Sequence, residues 1–246
     1  MAISDPYEDF ADRYDWMNLQ DPARKEFFRQ LFEKHSVSDV LDCACGTGTD
    51  LIMFHSLGRE VVGSDLSNAM LRQAQKRLKE ADLDFPLKKA DFRELEKHFK
   101  RQFDAVVCLT NSINEVLEES EVLRALRSMK ALLRPGGILV FDQGQSDAMM
   151  KSPPRFDPII NNRDFSRLFI LDYSADVMQV NIFDFVHTEE NCEFHNTTVN
   201  IAIRLKNDWE RILSDVGFSN VQYFGDIDFT PYNKDTSRRL IAVACK

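Results

Sequence analysis

A glycine-containing turn between a short apolar strand and a helix most restricts how this chain can fold. The strand is predicted at 40–43, the turn contains Gly46 and Gly48, and a helix is predicted at 50–57. Glycine has no Cβ, so the backbone of such a turn can approach a ligand closely, beside the free N–H groups that begin the helix. The arrangement predicts an α/β domain that binds a nucleoside cofactor at the end of its first strand.

Strands and helices alternate along the first 142 residues. Strands are predicted at 40–43, 61–64, 87–90, 104–109 and 138–141, and amphipathic helices fill the intervals. Two more strands, at 221–224 and 239–244, follow a helix at 207–216 and bring the number of strands to seven. This alternation is typical of a doubly wound, mostly parallel sheet that is covered by helices on both faces.

The region after residue 142 follows a different pattern. Residues 143–160 contain three prolines and show no clear periodicity, whereas 168–173, 177–187 and 192–205 read as strands of an antiparallel meander. We therefore predict an α/β domain made of 36–142 and 206–246, with a β-rich lid inserted at 143–205 on the substrate side. Aromatic residues spaced by three and four between 7 and 17, and a helix at 22–35 capped by Asp21, predict a helical cap over the cofactor at 1–35.

Composition and charge exclude several classes of protein. The chain has 246 residues and a formal net charge of −9, so it lacks the basic surface that nucleic acid requires, and neither nucleic acid nor a membrane is expected as a partner. Its first residues do not resemble a signal peptide, and no apolar stretch is long enough to cross a bilayer. The five cysteines are interpreted as free thiols of a cytoplasmic protein, and the Cys43-x-Cys45 pair, with no further ligand cluster, predicts no metal site. The sequence leaves the oligomeric state open.

An acidic residue follows the second predicted strand. Asp65 stands seventeen residues after Gly48, where a carboxylate can accept hydrogen bonds from both hydroxyls of a ribose. A dinucleotide-binding dehydrogenase is the alternative interpretation, but Leu51 replaces the third glycine of its fingerprint. Asp42 and Asp50 also surround the turn with negative charge, which suits a cationic ligand better than a pyrophosphate.

Four motifs together resemble the class I S-adenosylmethionine-dependent methyltransferases, over nearly the whole chain. They are Val40-Leu41-Asp42-Cys43-Ala44-Cys45-Gly46-Thr47-Gly48, Asp65, Ala90-Asp91-Phe92 and Leu132-Leu133-Arg134-Pro135-Gly136-Gly137. The resemblance implies S-adenosylmethionine as cofactor, with its methionine part at the glycine turn, its ribose on Asp65, its adenine on the residues at 66, 70, 91 and 92, and its sulfonium above Leu109. Tyr14 is predicted to cover the cofactor and Arg24 (or Arg13) to pair with its carboxylate. The predicted cofactor-binding residues are Tyr14, Arg24, Asp42, Ala44, Gly46, Gly48, Asp65, Leu66, Met70, Asp91, Phe92 and Leu109.

Within that family the chain is most similar to small-molecule N-methyltransferases of the glycine and sarcosine type. Asn111 matches an asparagine that contacts the substrate there, and it is the predicted catalytic residue. One feature departs from the pattern: Gln143-Gly144 stands where those enzymes have a His-Arg pair whose arginine binds the substrate carboxylate. Either an arginine of the insert (Arg155, Arg163 or Arg167) replaces it, or the substrate is not glycine, and amino-sugar N-methyltransferases share the same layout.

The sequence therefore predicts methyl transfer to a small-molecule acceptor, with an amine nitrogen favoured. A small-molecule O-methyltransferase and a non-catalytic protein that binds S-adenosylmethionine are the alternatives. Methyl transfer from a sulfonium mainly requires alignment of donor and acceptor, so the absence of a catalytic triad is no argument against an enzyme. His187 and His195 are more readily interpreted as structural residues of the insert than as general bases.

Overall fold

The computed structural model describes residues 5–17 and 21–246. Its helices are α1 (Pro22–Lys34), α2 (Thr49–Ser56), α3 (Asn68–Glu80), α4 (Glu119–Ala131), α5 (Asp147–Met150) and α6 (Lys206–Val216). Its strands are β1 (Asp39–Asp42), β2 (Glu60–Asp65), β3 (Leu87–Lys89), β4 (Phe103–Cys108), β5 (Leu133–Gln143), β6 (Phe156–Asn161), β7 (Phe165–Tyr173), β8 (Val177–His187), β9 (Cys192–Ala202), β10 (Ser219–Phe224) and β11 (Leu240–Cys245). Short 3-10 helices lie at Tyr14–Met17, Phe92–Lys97 and Ser112–Glu115.

Two sheets organise these elements. The larger has seven strands in the order β10-β11-β5-β4-β1-β2-β3, and β1 to β5 are parallel to one another. Strand β11 pairs antiparallel with both β5 and β10. The smaller sheet is an antiparallel meander of β6 to β9. The predicted fold class, a mostly parallel seven-stranded sheet with an antiparallel β-rich insertion, is confirmed.

The core lies on both faces of the seven-stranded sheet. Successive side chains of a strand point to opposite faces, so Leu41 packs with α4 and α6 on one face, while Val40 packs with α1 and α2 on the other. The first face contains the fully buried Trp209, and the second contains a cluster of phenylalanines from α1 and α2. The central strands are uninterrupted and apolar because both of their faces are covered.

Two helix starts form as their sequences predict. The Asp21 side chain accepts a hydrogen bond from the Ala23 N–H at 2.9 Å, directly before Pro22 at the first helical position of α1. The Ser67 hydroxyl caps α3 by accepting from the Met70 N–H at 3.1 Å. These caps satisfy backbone donors that have no partner inside the helix, so local sequence is sufficient to fix both boundaries.

The N-terminal segment, defined as residues 5–17, differs from the predicted helix. It forms successive turns followed by the 3-10 helix Tyr14–Met17, and residues 1–4 and 18–20 of the predicted cap lie outside the described residues. The aromatic spacing nevertheless places Tyr7, Phe10 and Tyr14 on one side, with ring centroids 5.6–6.3 Å apart. Tertiary contacts, described below, fix this segment against three different elements and override a continuous helix.

The region of 143–160 that we predicted to be irregular contains α5 and the strand β6. Pro158 lies inside β6, and the pairing with β7 shifts its register between Pro158 and Ile160. Proline cannot donate a ladder hydrogen bond, and it is tolerated here because β6 is at the edge of its sheet. The irregular register removes the period-two alternation that would have identified the strand from sequence.

The described ranges 5–17 and 21–246 contain no helix that is both long and apolar enough to span a membrane. Within the same ranges, no group of three or more His, Cys, Asp or Glu side chains is arranged to hold a metal ion.

Candidate active site

The glycine turn joins the end of β1 to the start of α2 and lies beside the end of β2. Gly46 and Gly48 have φ angles of 52° and 81°, in the left-handed region that favours glycine. A Cβ on Gly48 would lie 3.2 Å from the Ala74 Cβ on α3. The turn is attached to β2 by a hydrogen bond from the Cys45 N–H to the Ser64 carbonyl at 2.9 Å. The two glycines therefore allow the turn to pack closely on β2 and α3.

Asp65, the last residue of β2, organises the edge of the turn. One carboxylate oxygen accepts a hydrogen bond from the Gly46 N–H at 2.8 Å, and the other accepts from the Ser67 N–H at 2.9 Å. Burial raises the pKa of Asp65, and these two backbone hydrogen bonds partly oppose that effect. Its carboxylate is fixed in orientation at the carboxyl end of the sheet, where ligands bind in folds of this kind.

A cavity of about 840 Å³ opens in front of the turn and Asp65. Ten of the predicted cofactor residues line it, namely Tyr14, Asp42, Ala44, Gly46, Asp65, Leu66, Met70, Asp91, Phe92 and Leu109. Arg24, Gly48 and Asn111 do not line it. Among the described residues, its wall contains nine carboxylates and two basic side chains, Lys89 and Arg93. The electrostatic environment of the cavity therefore favours a cationic ligand.

The carboxylate of Asp91 is engaged by a neighbouring arginine. Its Oδ1 accepts from the Arg93 backbone N–H and from Arg93 Nε, both at 2.9 Å, and Arg93 Nη1 also pairs with Glu121 at 3.0 Å. Burial opposes ionisation, but the hydrogen bonds from Arg93 outweigh it and lower the pKa of Asp91. Asp91 is thus held as a carboxylate at the cavity wall, and its predicted bond to an adenine amino group stays a prediction.

Arg24 of α1 lies between two carboxylates behind the glycine turn. It donates to both oxygens of Asp50, at 3.1 and 2.8 Å, and Nη1 lies 3.5 Å from Asp142 Oδ2. Although burial alone lowers its pKa, the two carboxylates outweigh burial and raise the pKa of Arg24. The side chain connects α1, α2 and β5 at this position, and its predicted contact with a cofactor carboxylate stays a prediction.

Asn111 lies in a strained turn directly after β4. Both Thr110 and Asn111 have left-handed φ angles, 59° and 66°, which is an outlier for a β-branched residue such as Thr. The turn is held by hydrogen bonds from the Thr110 N–H to Asp142 Oδ1 at 2.5 Å and from the Gly144 N–H to Asn111 Oδ1 at 2.9 Å. Such strain costs about 1–3 kcal/mol for each residue and persists only where surrounding contacts enforce it. The 3-10 helix Ser112–Glu115 begins directly after this turn, and its first and last residues line the cavity.

Gln143, one of the two residues that stand in place of the His-Arg pair, has a structural role. Its Nε2 donates to the carbonyls of Gln145 and Arg204, both at 2.7 Å. Its Oε1 accepts from Trp209 Nε1 at 2.7 Å and from Asn114 Nδ2 at 2.8 Å. This buried amide has four partners, and it joins the end of β5 to α6 and to the Ser112–Glu115 turn.

The three arginines considered as carboxylate ligands lie outside the cavity wall. Arg167 is fully buried and donates to both oxygens of Asp184, at 2.6 and 2.8 Å. Arg155 pairs with Asp172 at 3.0 Å on the surface, and Arg163 is exposed. The histidines of the insert, at 187 and 195, are also absent from the cavity wall. The insert therefore contributes no basic side chain to this cavity.

The N-terminal segment closes one side of the cavity and is attached at several points. The Ser67 hydroxyl donates to Asp5 at 2.6 Å, and the Thr47 hydroxyl donates to Asp15 at 2.9 Å. The insert holds the segment from the other side, because Arg167 donates to the carbonyls at positions 13 and 14. No described residue of 143–205 lines the cavity, so the insert contacts this segment rather than the cavity itself.

Glu115, a cavity residue that our sequence reasoning missed, accepts a hydrogen bond from the Tyr7 hydroxyl at 2.6 Å. Burial raises the pKa of Glu115 to about 7, although the hydrogen bond from Tyr7 lowers it in part. A signal for it exists in the sequence: Glu115 lies just before the apolar Val116 and soon after β4 ends, at the same edge of the sheet as Asp42 and Asp65.

The comparisons with known proteins agree with this geometry. Residues 40–137 match the family described as "Methyltransferase domain". This segment contains the glycine turn, Asp65 and Asp91, so the part of the chain that is similar to methyltransferases is also the part that forms most of the cavity wall.

Two curated relatives are N-methyltransferases. A glycine/sarcosine N-methyltransferase of Aphanothece halophytica is 27% identical over 247 residues, which cover 97% of this chain and 89% of that protein. A glycine/sarcosine N-methyltransferase of Parasynechococcus marenigrum is 35% identical over 147 residues, covering 58% of this chain and 52% of that protein. The chain thus spans about half the length of some curated relatives that it matches.

Solved structures share the whole fold at low identity. An S-adenosylmethionine-dependent methyltransferase from Clostridium acetobutylicum superposes with a TM-score of 0.82 at 18% identity, covering 98% of this chain and 99% of that one. A sugar N-methyltransferase from Streptoalloteichus gives a TM-score of 0.78 at 23% identity, covering 100% and 96%. These likenesses show that the seven-stranded sheet and its insertion occur together in other proteins.

Proposed function

We propose that this protein transfers a methyl group from S-adenosylmethionine to an amine nitrogen of a small molecule. The charge of the cavity is the observation that supports this most directly, because nine carboxylates and two basic side chains surround it. S-adenosylmethionine contains a sulfonium and an ammonium group, and most alkylamines are protonated at neutral pH. Both ligands are thus cations that such a cavity attracts.

The residues present fit the cofactor. The left-handed glycine turn leaves its backbone accessible. Asp65 offers a carboxylate of fixed orientation at the end of the second strand, the position where a ribose-binding carboxylate is expected. Leu66 and Met70 would contact the adenine, and Leu109 would lie beneath the sulfonium. When bound, S-adenosylmethionine supplies an activated methyl group, and the chain's own residues orient the two reactants and exclude water. Such positioning lowers a barrier by about 7–11 kcal/mol.

The acceptor that we propose is an amine without a carboxylate beside the nitrogen, such as an amino sugar. Recognition of a glycine-like carboxylate normally uses a bidentate arginine. The arginines of the insert, at 155, 163 and 167, do not line the cavity, and Arg93 is already paired with two carboxylates. The names of the relatives, glycine/sarcosine N-methyltransferase and sugar N-methyltransferase, support the choice of an N-methyl acceptor.

A radiolabelled methyl-transfer screen tests this proposal. Purified protein would be incubated with labelled S-adenosylmethionine and with glucosamine, ethanolamine, glycine, sarcosine or catechol, after cofactor binding has been measured by calorimetry. We expect label on glucosamine or ethanolamine and little on glycine. Preferred labelling of glycine would contradict the acceptor class, and labelling of catechol alone would indicate an O-methyltransferase. Tight cofactor binding without transfer to any acceptor would indicate a non-catalytic binding protein.

A further inference from the structure

We propose that Glu115 is the group that removes the proton from the acceptor's ammonium before methyl transfer. This inference rests on the proposed function, since it assumes an amine acceptor. An ammonium has no lone pair, and an alkylamine with a pKa like that of lysine, about 10.4, is almost entirely protonated at neutral pH. A base inside the cavity would therefore increase the fraction of acceptor that is able to react.

Glu115 has the geometry for this role. It ends the short turn after β4 and lines the cavity together with Leu109 and Thr110, the residues at the carboxyl end of that strand. The Tyr7 hydroxyl donates to its Oε1 at 2.6 Å, whereas its Oε2 accepts no hydrogen bond from the part of the chain that the structure describes. One oxygen is thus held in place, and the other is available to a ligand in the cavity.

The other candidate groups in the cavity are less suitable. Burial raises the pKa of Tyr7 and of Tyr14, so both phenols remain protonated and can only donate at neutral pH. Both oxygens of Asp65 are engaged by backbone N–H groups. Asp42 is 2% exposed beneath the glycine turn, and Asp50 is paired with Arg24. Glu115 combines partial exposure to the cavity with a free oxygen.

The charged neighbours of Glu115 set the pH range in which it accepts a proton. Burial is the largest influence and raises its pKa to about 7, and the negative charges of Asp65 on β2 and Asp5 in the N-terminal segment act in the same direction. The hydrogen bond from Tyr7 lowers the pKa. The positive charge of Arg204, which follows β9, contacts the residues on both sides of Glu115 in sequence: it donates to the Leu117 carbonyl at 2.6 Å and lies 3.5 Å from the Asn114 side chain. A base with a pKa near the working pH is the most effective kind.

The proposed step balances in atoms and charge. An N–H bond of the acceptor ammonium breaks, an O–H bond forms on Glu115, and the amine keeps the electron pair. That pair forms the new N–CH3 bond while the S–CH3 bond of the sulfonium donor breaks and its electrons stay on sulfur. The product is a methylated ammonium and a neutral thioether, and Glu115 then releases its proton to solvent.

The test compares wild type with Glu115→Gln and Glu115→Asp, using the simple alkylamine ethanolamine as acceptor and S-adenosylmethionine as donor. Glu119→Gln is the matched control, because Glu119 is an exposed carboxylate on α4 that pairs with Arg211 outside the cavity. We expect Glu115→Gln to lower kcat/KM about 100-fold at pH 7, and the loss to shrink as pH rises and more of the acceptor arrives neutral. Glu115→Asp should retain part of the activity, and Glu119→Gln nearly all of it.

A second readout does not require turnover. Carboxyl-labelled glutamate, followed by carbon-13 NMR without any acceptor, should show one resonance that titrates near pH 7 in wild type and disappears in Glu115→Gln. Tyr7→Phe should move that titration to higher pH, because the carboxylate loses a hydrogen bond that favours its charged form.

The outcomes separate the two proposals. A wild-type protein that binds S-adenosylmethionine and methylates no amine overturns the proposed function, and the role of Glu115 with it. If the wild-type protein methylates ethanolamine, three results overturn only the role of Glu115. They are a Glu115→Gln variant that is equally active, a loss of activity that is the same at every pH, and a Glu115→Gln variant that fails to bind S-adenosylmethionine.

Discussion

Replacing Arg167 by Met is expected to destabilise the protein strongly, because it breaks an ion pair that has no access to water. The Arg167 side chain is 0% exposed and lies between the rings of Phe10 and Phe165. It donates to both oxygens of Asp184, at 2.6 and 2.8 Å, and to the carbonyls of Arg13 and Tyr14, at 3.0 and 3.2 Å. The guanidinium therefore joins β7 and β8 of the insert to the N-terminal segment.

The magnitude follows from what remains after the substitution. Asp184 would stay buried, and within 5–17 and 21–246 the one remaining basic contact to balance its charge is the weaker one from Arg13 Nε at 3.4 Å. Removing one partner of a buried pair costs about 3–5 kcal/mol, mainly because the other charge is left uncompensated. Arg155→Met is the matched control in the same insert, since its pair with Asp172 is 64% and 43% exposed. An exposed pair contributes at most about 1 kcal/mol.

Urea unfolding followed by tryptophan fluorescence measures both variants, and thermal unfolding adds a second estimate. A loss of 3 kcal/mol lowers Tm by about 6–12 °C in a chain of this size. The double variant Arg167→Met, Asp184→Leu should recover part of the loss, because no isolated charge remains. A cost of Arg167→Met no larger than that of Arg155→Met, or a double variant less stable than Arg167→Met alone, would refute the role of the buried ion pair.

Three further predictions concern the site and its supports. Asp65→Asn should weaken S-adenosylmethionine binding about 10- to 100-fold by calorimetry, as expected for hydrogen bonds to a charged acceptor, and an unchanged Kd would contradict the ribose role. Gln143→Ala should lower the free energy of unfolding by at least about 2 kcal/mol, since it leaves four buried groups without partners; a change below about 0.5 kcal/mol in urea unfolding would count against this. Glu115 should make the protein less stable as pH rises from 4.5 to 7, because its pKa is about 7 when folded against 4.5 when unfolded, so the folded state binds the extra proton. The fall should be about 1–3 kcal/mol and absent in Glu115→Gln; parallel stability curves for the two proteins would exclude it.

Local sequence determined the framework of the site. Continuous apolar runs identified the parallel strands and helical periodicity identified their helices, because burial of both sheet faces requires continuous apolar strands. The capping residues Asp21 and Ser67 marked helix starts correctly, since their hydrogen bonds span only two or three residues. The glycine turn and Asp65 could be placed in one site because the carboxyl ends of neighbouring parallel strands share one edge.

The partners of polar side chains required the tertiary structure. The sequence alone leaves Arg167 as a candidate ligand for a substrate carboxylate, yet it is bonded to a carboxylate seventeen residues away and to backbone carbonyls more than 150 residues away. Gln143 appeared as a departure from a familiar motif, and only its four buried partners show that it is structural. Neither pairing leaves a periodic or local signal in the sequence.

Glu115 shows the same division most clearly. The sequence by itself determined the strand that precedes this residue and the edge of the sheet where it lies, because hydrophobic periodicity is a local property of the chain. Only the tertiary structure decided that the phenol of Tyr7 would reach it from 108 residues away, and that burial would bring its pKa close to neutrality. Burial and long-range hydrogen bonds depend on which surfaces meet in the folded protein, and for that reason the chemistry of the cavity follows from its packing.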